Sequence, residues 1–326
     1  LLYRRLHGKM LIVESQYCLM GGRNLDDQYY RMDSVGNFLD REVLIRSDKA
    51  VDEARQHFNE LWEHEVICTD LKGSFNPADR KEYQRTLDSA ALSVKSQLPL
   101  LRKIRGADML NPSDAAKPTA NPVHFAYPGL TRLRHGHIRR SNRIDRHVTH
   151  ALQGLVAVAD STLEIEASYF LLTHGWMKCL KAAHKRGVRI QVITNSATTN
   201  DLPIIQAVYA NRRARYRRAG IQLYEYCGVR TVHLKAFTID NQVVVLGSYN
   251  LDNTSEKYNT EVIGWVEDPF LALQQQKLFK KNLAFCQPDG GECPASLSVL
   301  SEEQKKRQRK VKWLRYTLAP FVGLVE

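Results

Sequence analysis

The feature that most constrains this chain is a spaced internal repeat. His7-Gly-Lys9 is followed by four residues and Glu14, then after six more by Gly21, and after two more by Asn24. His233-Leu-Lys235 is followed at the same spacings by Asp240, Gly247 and Asn250, with the two copies 226 residues apart. The agreement runs on, since Asn24-Leu25-Asp26 matches Asn250-Leu251-Asp252. Glu42-Val43-Leu44 resembles Glu261-Val262-Ile263 if the first copy carries seven extra residues. A single His-x-Lys is common by chance, but two copies with the same downstream carboxylate, glycine and asparagine predict a duplicated structural unit.

The spacing has a chemical sense. On a strand, residues i and i+2 share a face, so His7 points with Lys9 and His233 with Lys235. Two such strands about a pseudo-twofold axis would gather two imidazoles and two ammonium groups. Asn24 and Asn250 follow glycine-bearing turns and add amide donors. A pocket of cations and donors suits a phosphodiester, whose negative charge must be held in the transition state. One neutral histidine would attack phosphorus and form a phosphohistidine. The other would pass a proton to the leaving oxygen and later activate the acceptor. Each ring needs an acceptor on its second nitrogen to fix its tautomer. Glu261 is the expected acceptor for His233, and Glu42 for His7, with Asp40 a nearby substitute.

These residues carry a resemblance to the phospholipase D superfamily, whose signature is H-x-K-x4-D followed by a small-residue turn and Asn. Here it reads HGKMLIVE…GGRN and HLKAFTID…GSYN. The stretches GGRNLDDQYY, VRIQVITNSATTND, RRAGIQLYE and GSYNLDNTSEKYNTE narrow the resemblance to bacterial cardiolipin synthases of the C type. The resemblance implies an α/β fold of two phospholipase D-like lobes, each a mixed sheet flanked by helices, related by a pseudo-twofold. It also implies phosphatidyl transfer through a phosphatidyl-histidine, with no metal and no cofactor. The family's usual pattern makes His7 the nucleophile and His233 the acid. Glu14 stands where the family has Asp. Glu14, Asp240 and Ser248 are read as supporting the motifs rather than touching phosphate.

Alternating periodicities set the organisation. Strands are expected around His7–Val13, Tyr17–Met20 and Val43–Arg46, then amphipathic helices over Asp48–Glu65 and Ala78–Ile104. Pro112, Pro118, Pro122 and Pro128 punctuate a link between lobes. Beyond it, helices over Ser141–Ala159, Thr173–Gly187 and Leu202–Ala219 alternate with strands over Leu163–Ser168, Val188–Thr194 and Ile221–Glu225. Val232–Ile239 and Gln242–Leu246 read as a pair of strands. The expected division is a first lobe over 1–110, a linker over 111–130, a second lobe over 131–287 and a tail over 288–326. The chain begins at Leu1 inside an apparent strand, so the first lobe is expected to be incomplete at its N terminus.

The formal net charge of +12 suits an anionic partner or simply solubility. Basic residues concentrate at Arg132–Arg146, along the helix Asn211–Arg218 and at Lys305–Arg315. The helix reads equally as a phosphate contact or as a solvated face, whereas Arg132–Arg146, whose His135, His137 and His147 lack nearby Cys or carboxylate partners, reads as a basic connector. No run reaches the roughly 18 apolar residues of a membrane-spanning helix. The tail sets Trp313, Leu314, Tyr316, Leu318, Phe321 and Val322 behind Lys305–Lys312. That composition suits a bilayer interface or packing on the protein's own surface, and the basic run favours the membrane. Six scattered cysteines include no C-x-x-C pair, and Cys286 with Cys293 is a candidate bridge.

Three functions follow. The first is a phospholipid enzyme at a bacterial cytoplasmic membrane, peripherally attached. It would act on phosphatidylglycerol and phosphatidylethanolamine, as a transferase or as a phospholipase D using water. The second is a nuclease of the same superfamily, disfavoured by the lack of a nucleic-acid-binding motif. The third is a non-catalytic relative that binds anionic lipid, disfavoured by retention of both histidines and both lysines.

Overall fold

The computed structural model describes residues 5–30, 32, 37–63, 81, 85, 88, 121–126, 146–288, 293 and 302–317. Most of the expected helix over Ala78–Ile104, most of the link between lobes and most of the basic connector lie outside the described residues, but Val123–Ala126, expected within the link, form a strand. Two compact units are formed, residues Leu1–Phe58 with Ala120–Glu326, and Asn59–Thr119. Both copies of the repeat lie in the first unit.

The second copy sits in an eight-stranded mixed sheet of order β15-β9-β8-β7-β11-β12-β14-β6. Its parallel part is β7 (Thr162–Ala167), β8 (Arg189–Asn195) and β9 (Ile221–Tyr226). The crossovers between them are α3 (His174–Lys185) and α4 (Pro203–Arg218). Thr173 caps α3 by accepting from the Trp176 N–H, and Pro203 opens α4 where its missing donor costs nothing. The antiparallel part is β11 (Lys235–Ile239), β12 (Val243–Gly247), β14 (Ile263–Glu267) and β6 (Val123–Ala126). Helix α2 (His147–Ala157) packs with α3, the short α5 (Asn253–Lys257) follows β12, and α6 (Pro269–Leu283) leads to the edge strand β15 (Cys286–Pro288). Ile190, Val192 and Ile193 on β8 are fully buried, which is why this stretch reads as a continuous apolar run.

The first copy forms a smaller sheet of β2 (Met10–Val13), β3 (Tyr17–Gly21) and β5 (Glu42–Arg46), backed by α1 (Asp48–Trp62). Cys18, Met20, Ile45, Ala50, Val51 and Ala54 share one core with Phe125 of the larger sheet and with Val262, the residue before β14. The two hairpins are built alike. Met10 pairs with Met20 as Ala236 pairs with Leu246. Glu14 and Ser15 in one turn, and Asp240 and Asn241 in the other, all have φ between 52° and 57°. That left-handed pair suits a tight hairpin turn. Gly21 and Gly247 end the equivalent strands, and each is required. A Cβ would stand 2.4 Å from the Arg41 carbonyl oxygen at Gly21 and 2.2 Å from the Val262 carbonyl oxygen at Gly247.

One of the two readings of the tail, packing on the protein's own surface, holds for one face of it. Residues Glu302–Thr317 form α7, whose Val311 and Leu314 join the core beside α4. Arg315 Nε donates to Asn211 Oδ1 at 3.0 Å. Trp313 and Tyr316 lie on the outer face, 60% and 71% exposed. Leu318, Phe321 and Val322 lie outside the described residues. The disulfide differs from expectation. Cys293 pairs with Cys227, and Cys286 is a free thiol whose Sγ donates to the Asn282 carbonyl. Cys227 leaves β9 where that strand pairs with β15, and the return of the chain brings Cys293 within a Cα separation of 5.7 Å.

Candidate active site

Each His-x-Lys enters the site from a two-residue strand paired with the other copy. β1 (Arg5–Leu6) runs parallel to β13 (Asn259–Thr260), and β10 (Thr231–Val232) runs parallel to β4 (Phe38–Leu39). The histidines follow directly. The His7 N–H donates to the Thr260 carbonyl at 3.0 Å, and the His233 N–H to the Leu39 carbonyl at 2.8 Å. Neither histidine lies within a strand itself, which shortens the run expected over His7–Val13.

This pairing decides which carboxylate meets which ring. His7 Nδ1 lies 2.8 Å from Glu261 Oε2, and His233 Nδ1 lies 2.8 Å from Asp40 Oδ2. The expected assignment is therefore reversed. Glu261 serves His7 and not His233, and Asp40 serves His233. Glu42 meets neither ring, since its Oε2 lies 3.2 Å from Arg23 Nε. The strand register explains the reversal. Gly21 pairs with Glu42, whereas Gly247 pairs with Ile263, so the counterpart of Glu261 is Asp40, two residues before Glu42. A shift of two residues keeps the side chain on the same face, so the alternation alone does not separate the two alignments.

Both carboxylates are held by further donors. Ser248 Oγ (2.5 Å), Ser255 Oγ (2.6 Å) and Asn259 Nδ2 (3.0 Å) donate to Glu261. Asp40 Oδ1 accepts from the Arg41 N–H at 2.8 Å. The Arg41 guanidinium in turn grips Glu166 and Gln275 at 2.5 and 2.6 Å, anchoring the Asp40 segment to β7 and α6. Ser248 thus has a definite place beneath Glu261.

The lysines are placed alike. Lys9 Nζ donates to the His7 carbonyl at 2.6 Å, and Lys235 Nζ to the His233 carbonyl at 2.5 Å. Lys235 Nζ also donates to Ser168 Oγ at 2.9 Å and lies beside the His233 ring. Burial pulls both ammonium groups down to about 8. Glu261 and Asp40 oppose that fall at Lys9. At Lys235, Asp40 opposes it and the neighbouring Lys9 adds to it. Burial, then Lys235, pulls His233 down to about 4, against the opposing pull of Asp40. At neutral pH the His233 ring is therefore uncharged. Its Nδ1–H donates to Asp40 and its Nε2 carries a lone pair.

Asn24 and Asn250 differ in their surroundings. Asn24 is exposed, and its Nδ2 donates to the Tyr29 hydroxyl at 3.0 Å. Asn250 is buried, its N–H donates to Ser255 Oγ, and its Oδ1 has no partner among the described residues. Asp240 lies away from the histidines. Its Oδ1 accepts from the Ser161 and Thr162 N–H groups and its Oδ2 from the Asp160 N–H, so it clasps the loop before β7. Burial pushes its pKa up, but the donated hydrogen bonds outweigh this and hold it below the usual carboxylate value. Glu14 is exposed at the equivalent turn of the smaller sheet.

Comparison with known proteins agrees with this construction. Residues 154–283 match the family described as cardiolipin synthase, phospholipase D-like domain. The matched residues hold the second His-x-Lys copy, and the resemblance is to phospholipase D-like proteins. It is similar to cardiolipin synthase C of Escherichia coli, 26% identical over 301 residues, covering 85% of this chain and 62% of that protein. It is also similar to cardiolipin synthase 1 of Staphylococcus epidermidis, 20% identical over 282 residues, covering 86% of this chain and 47% of that protein. The chain thus spans about half to three fifths of the length of these curated relatives. The phosphatidylserine synthase structure from Haemophilus influenzae has the same fold, with a TM-score of 0.62, at 16% identity over 99% of this chain and 71% of that one.

Proposed function

We propose that this chain carries the catalytic centre of a metal-independent phosphatidyltransferase of cardiolipin synthase type. The observation that carries the reading is the crossed pair of histidines, each held at Nδ1 by a buried carboxylate, with Lys9 and Lys235 beside them. The similarity to two cardiolipin synthases supports a phospholipid diester as substrate.

In the first half-reaction His7 Nε2 attacks phosphorus and the bond from phosphorus to the leaving alcohol breaks. The entering anionic diester favours protonation of His233, which gives that proton to the leaving oxygen. Lys9, Lys235 and the Asn250 amide hold the phosphoryl oxygens as charge grows on them. His233 is then neutral, the state it also adopts at rest. In the second half-reaction it takes the proton of the acceptor hydroxyl, whose oxygen displaces His7 from phosphorus. A lipid hydroxyl gives transfer, and water gives hydrolysis.

Peripheral attachment to the cytoplasmic membrane of a bacterium is part of the same reading. The exposed Trp313 and Tyr316 stand among Lys306, Arg309, Lys310 and Lys312 on the outer face of α7, an arrangement suited to anionic headgroups.

The test is an end-point assay with vesicles of phosphatidylglycerol and phosphatidylethanolamine in EDTA, with products read by mass. Cardiolipin is the expected product. Phosphatidic acid alone makes the protein a hydrolase. DNA cleavage without lipid turnover makes it a nuclease and sinks the lipid reading.

A further inference from the structure

Tyr29 stands at the reacting nitrogen of His233, and the His-x-Lys repeat does not account for it. Its hydroxyl lies 3.2 Å from Nε2, and its ring meets the imidazole edge-on with centroids 5.0 Å apart. Phe38 packs against both rings, at 4.6 Å from Tyr29 and 5.3 Å from His233. Tyr29 is buried. Because His233 Nδ1–H is directed at Asp40, Nε2 must accept, so the Tyr29 hydroxyl donates to it. The same oxygen accepts from Asn24 Nδ2 at 3.0 Å. The result is one directed chain, Asn24 to Tyr29 to His233 to Asp40, in which each bond polarises the next.

Among the described residues the second copy of the repeat has no such chain. Tyr29 follows Asn24 by five residues, and the residue five beyond Asn250 is Ser255. Asp26 and Asp252 cap the equivalent turns. Ser255 donates to Glu261 and so reaches His7 only through that carboxylate. The two histidines are therefore supported differently. His233 is held at both nitrogens, whereas His7 has a partner at Nδ1 alone among the described residues.

We propose that Tyr29 is a positioning residue for His233. It holds Nε2 of the uncharged ring toward the place taken by the leaving and entering oxygens, and Asn24 acts through Tyr29 rather than on phosphate. The assignment of the oxygens rests on the phosphodiester-transfer reading above, whereas the contact does not. The groups facing His233 are Asp40, Lys235, Lys9 and Tyr29. Of these, Tyr29 and Lys235, whose Nζ lies 3.3 Å from Nε2, donate to the neutral form, and Tyr29 is the uncharged donor of the two. Removing its hydroxyl raises the pH at which His233 takes up a proton.

The test is Tyr29→Phe, which keeps the ring packing, alongside Asn24→Ala and the double variant. For Tyr29→Phe, kcat falls roughly three- to tenfold, the worth of one neutral hydrogen bond, with KM nearly unchanged. The acid limb of the kcat profile moves to higher pH. Asn24→Ala gives a similar loss, and the double variant is no worse than Tyr29→Phe, as for residues acting in series. The protonation of His233 is followed by imidazole 15N resonances without substrate, so the contact is decided even if no lipid is turned over. An unchanged Nε2 resonance and titration in Tyr29→Phe overturns the proposal. So does an Asn24→Ala variant whose KM rises and whose effect multiplies with that of Tyr29→Phe, because Asn24 then touches the phosphate itself.

Discussion

Asp40→Asn is the substitution that discriminates most sharply. Asp40 Oδ2 lies 2.8 Å from His233 Nδ1, and its Oδ1 accepts from the Arg41 N–H, also at 2.8 Å. The Asp40 side chain is 1% exposed, so water does not replace either bond. In the asparagine variant the Arg41 N–H still needs an acceptor, which keeps the amide oxygen in place. The amide nitrogen then faces His233 Nδ1 and donates to it. The ring proton must move to Nε2, and the lone pair that accepts a proton in the second half-reaction is gone. Loss of a charge-assisted hydrogen bond alone is worth about 1.5–3 kcal/mol, or roughly a ten- to hundredfold fall in kcat. Imposing the wrong tautomer on a catalytic histidine can extend the loss to about ten-thousand-fold. Glu42→Gln is the control, because Glu42 faces Arg23 at a partly exposed position and turnover stays close to wild type. The assay is phosphatidyl transfer in vesicles at saturating donor, with folding checked by circular dichroism. Two results refute the reasoning: a folded Asp40→Asn variant with wild-type kcat, or a Glu42→Gln variant as impaired as Asp40→Asn.

Other consequences are open to measurement. Lys9 and Lys235 both sit near 8, and a lysine is charged below its pKa. Thus kcat/KM for an anionic diester should decline above pH about 8 rather than near the ordinary lysine value of 10.5; a profile flat to pH 10 contradicts this. Asp240→Asn should lower stability by about 1–3 kcal/mol while leaving kcat largely intact, because it weakens a clasp on the β7 entry loop and touches no reacting group. Its contribution is present above the ordinary carboxylate pKa and is lost as pH falls through the depressed folded value, so the wild-type and variant Tm values should converge in acid. Trp313→Ala with Tyr316→Ala should change unfolding free energy by no more than about 0.5 kcal/mol, as exposed substitutions do, yet reduce co-sedimentation with anionic vesicles. Undiminished sedimentation removes α7 from the membrane reading.

Much of this site is legible in the sequence, and the limit has a physical cause. The repeat places His7, Lys9, His233 and Lys235 because local spacing controls which residues share a turn or a face. Gly21 and Gly247 are marked for the same reason, since a neighbouring carbonyl stands where a Cβ would go. The carboxylate partners are less accessible. Their assignment depends on β1 meeting β13 and β10 meeting β4, pairings between segments more than 190 residues apart that no local pattern encodes. The longer chain between Asn24 and Asp40 also leaves the alignment of the two copies free to slip by two residues. Tyr29 gives only one signal, its position opposite Ser255 in the repeat, and a tyrosine facing a serine does not announce a shared task. In the tail, the alternation of Val311 and Leu314 with Trp313 and Tyr316 suits one helix with a buried face and an exposed one, so packing and membrane contact are not exclusive.

The exchange of carboxylates between the two copies has a consequence for how such a protein can change. Each copy contributes the histidine of one half-site and the anchor of the other, so neither copy owns a complete half. A lobe expressed alone would carry its ring without the group that fixes the tautomer. A defect at Asp40 would be felt at His233, and one at Glu261 at His7, each in the opposite copy. Selection on this chain therefore acts on the pair of copies as one hereditary unit. The copies are free to diverge in their surfaces and loops, but not in the two short strands that carry each anchor across to its ring.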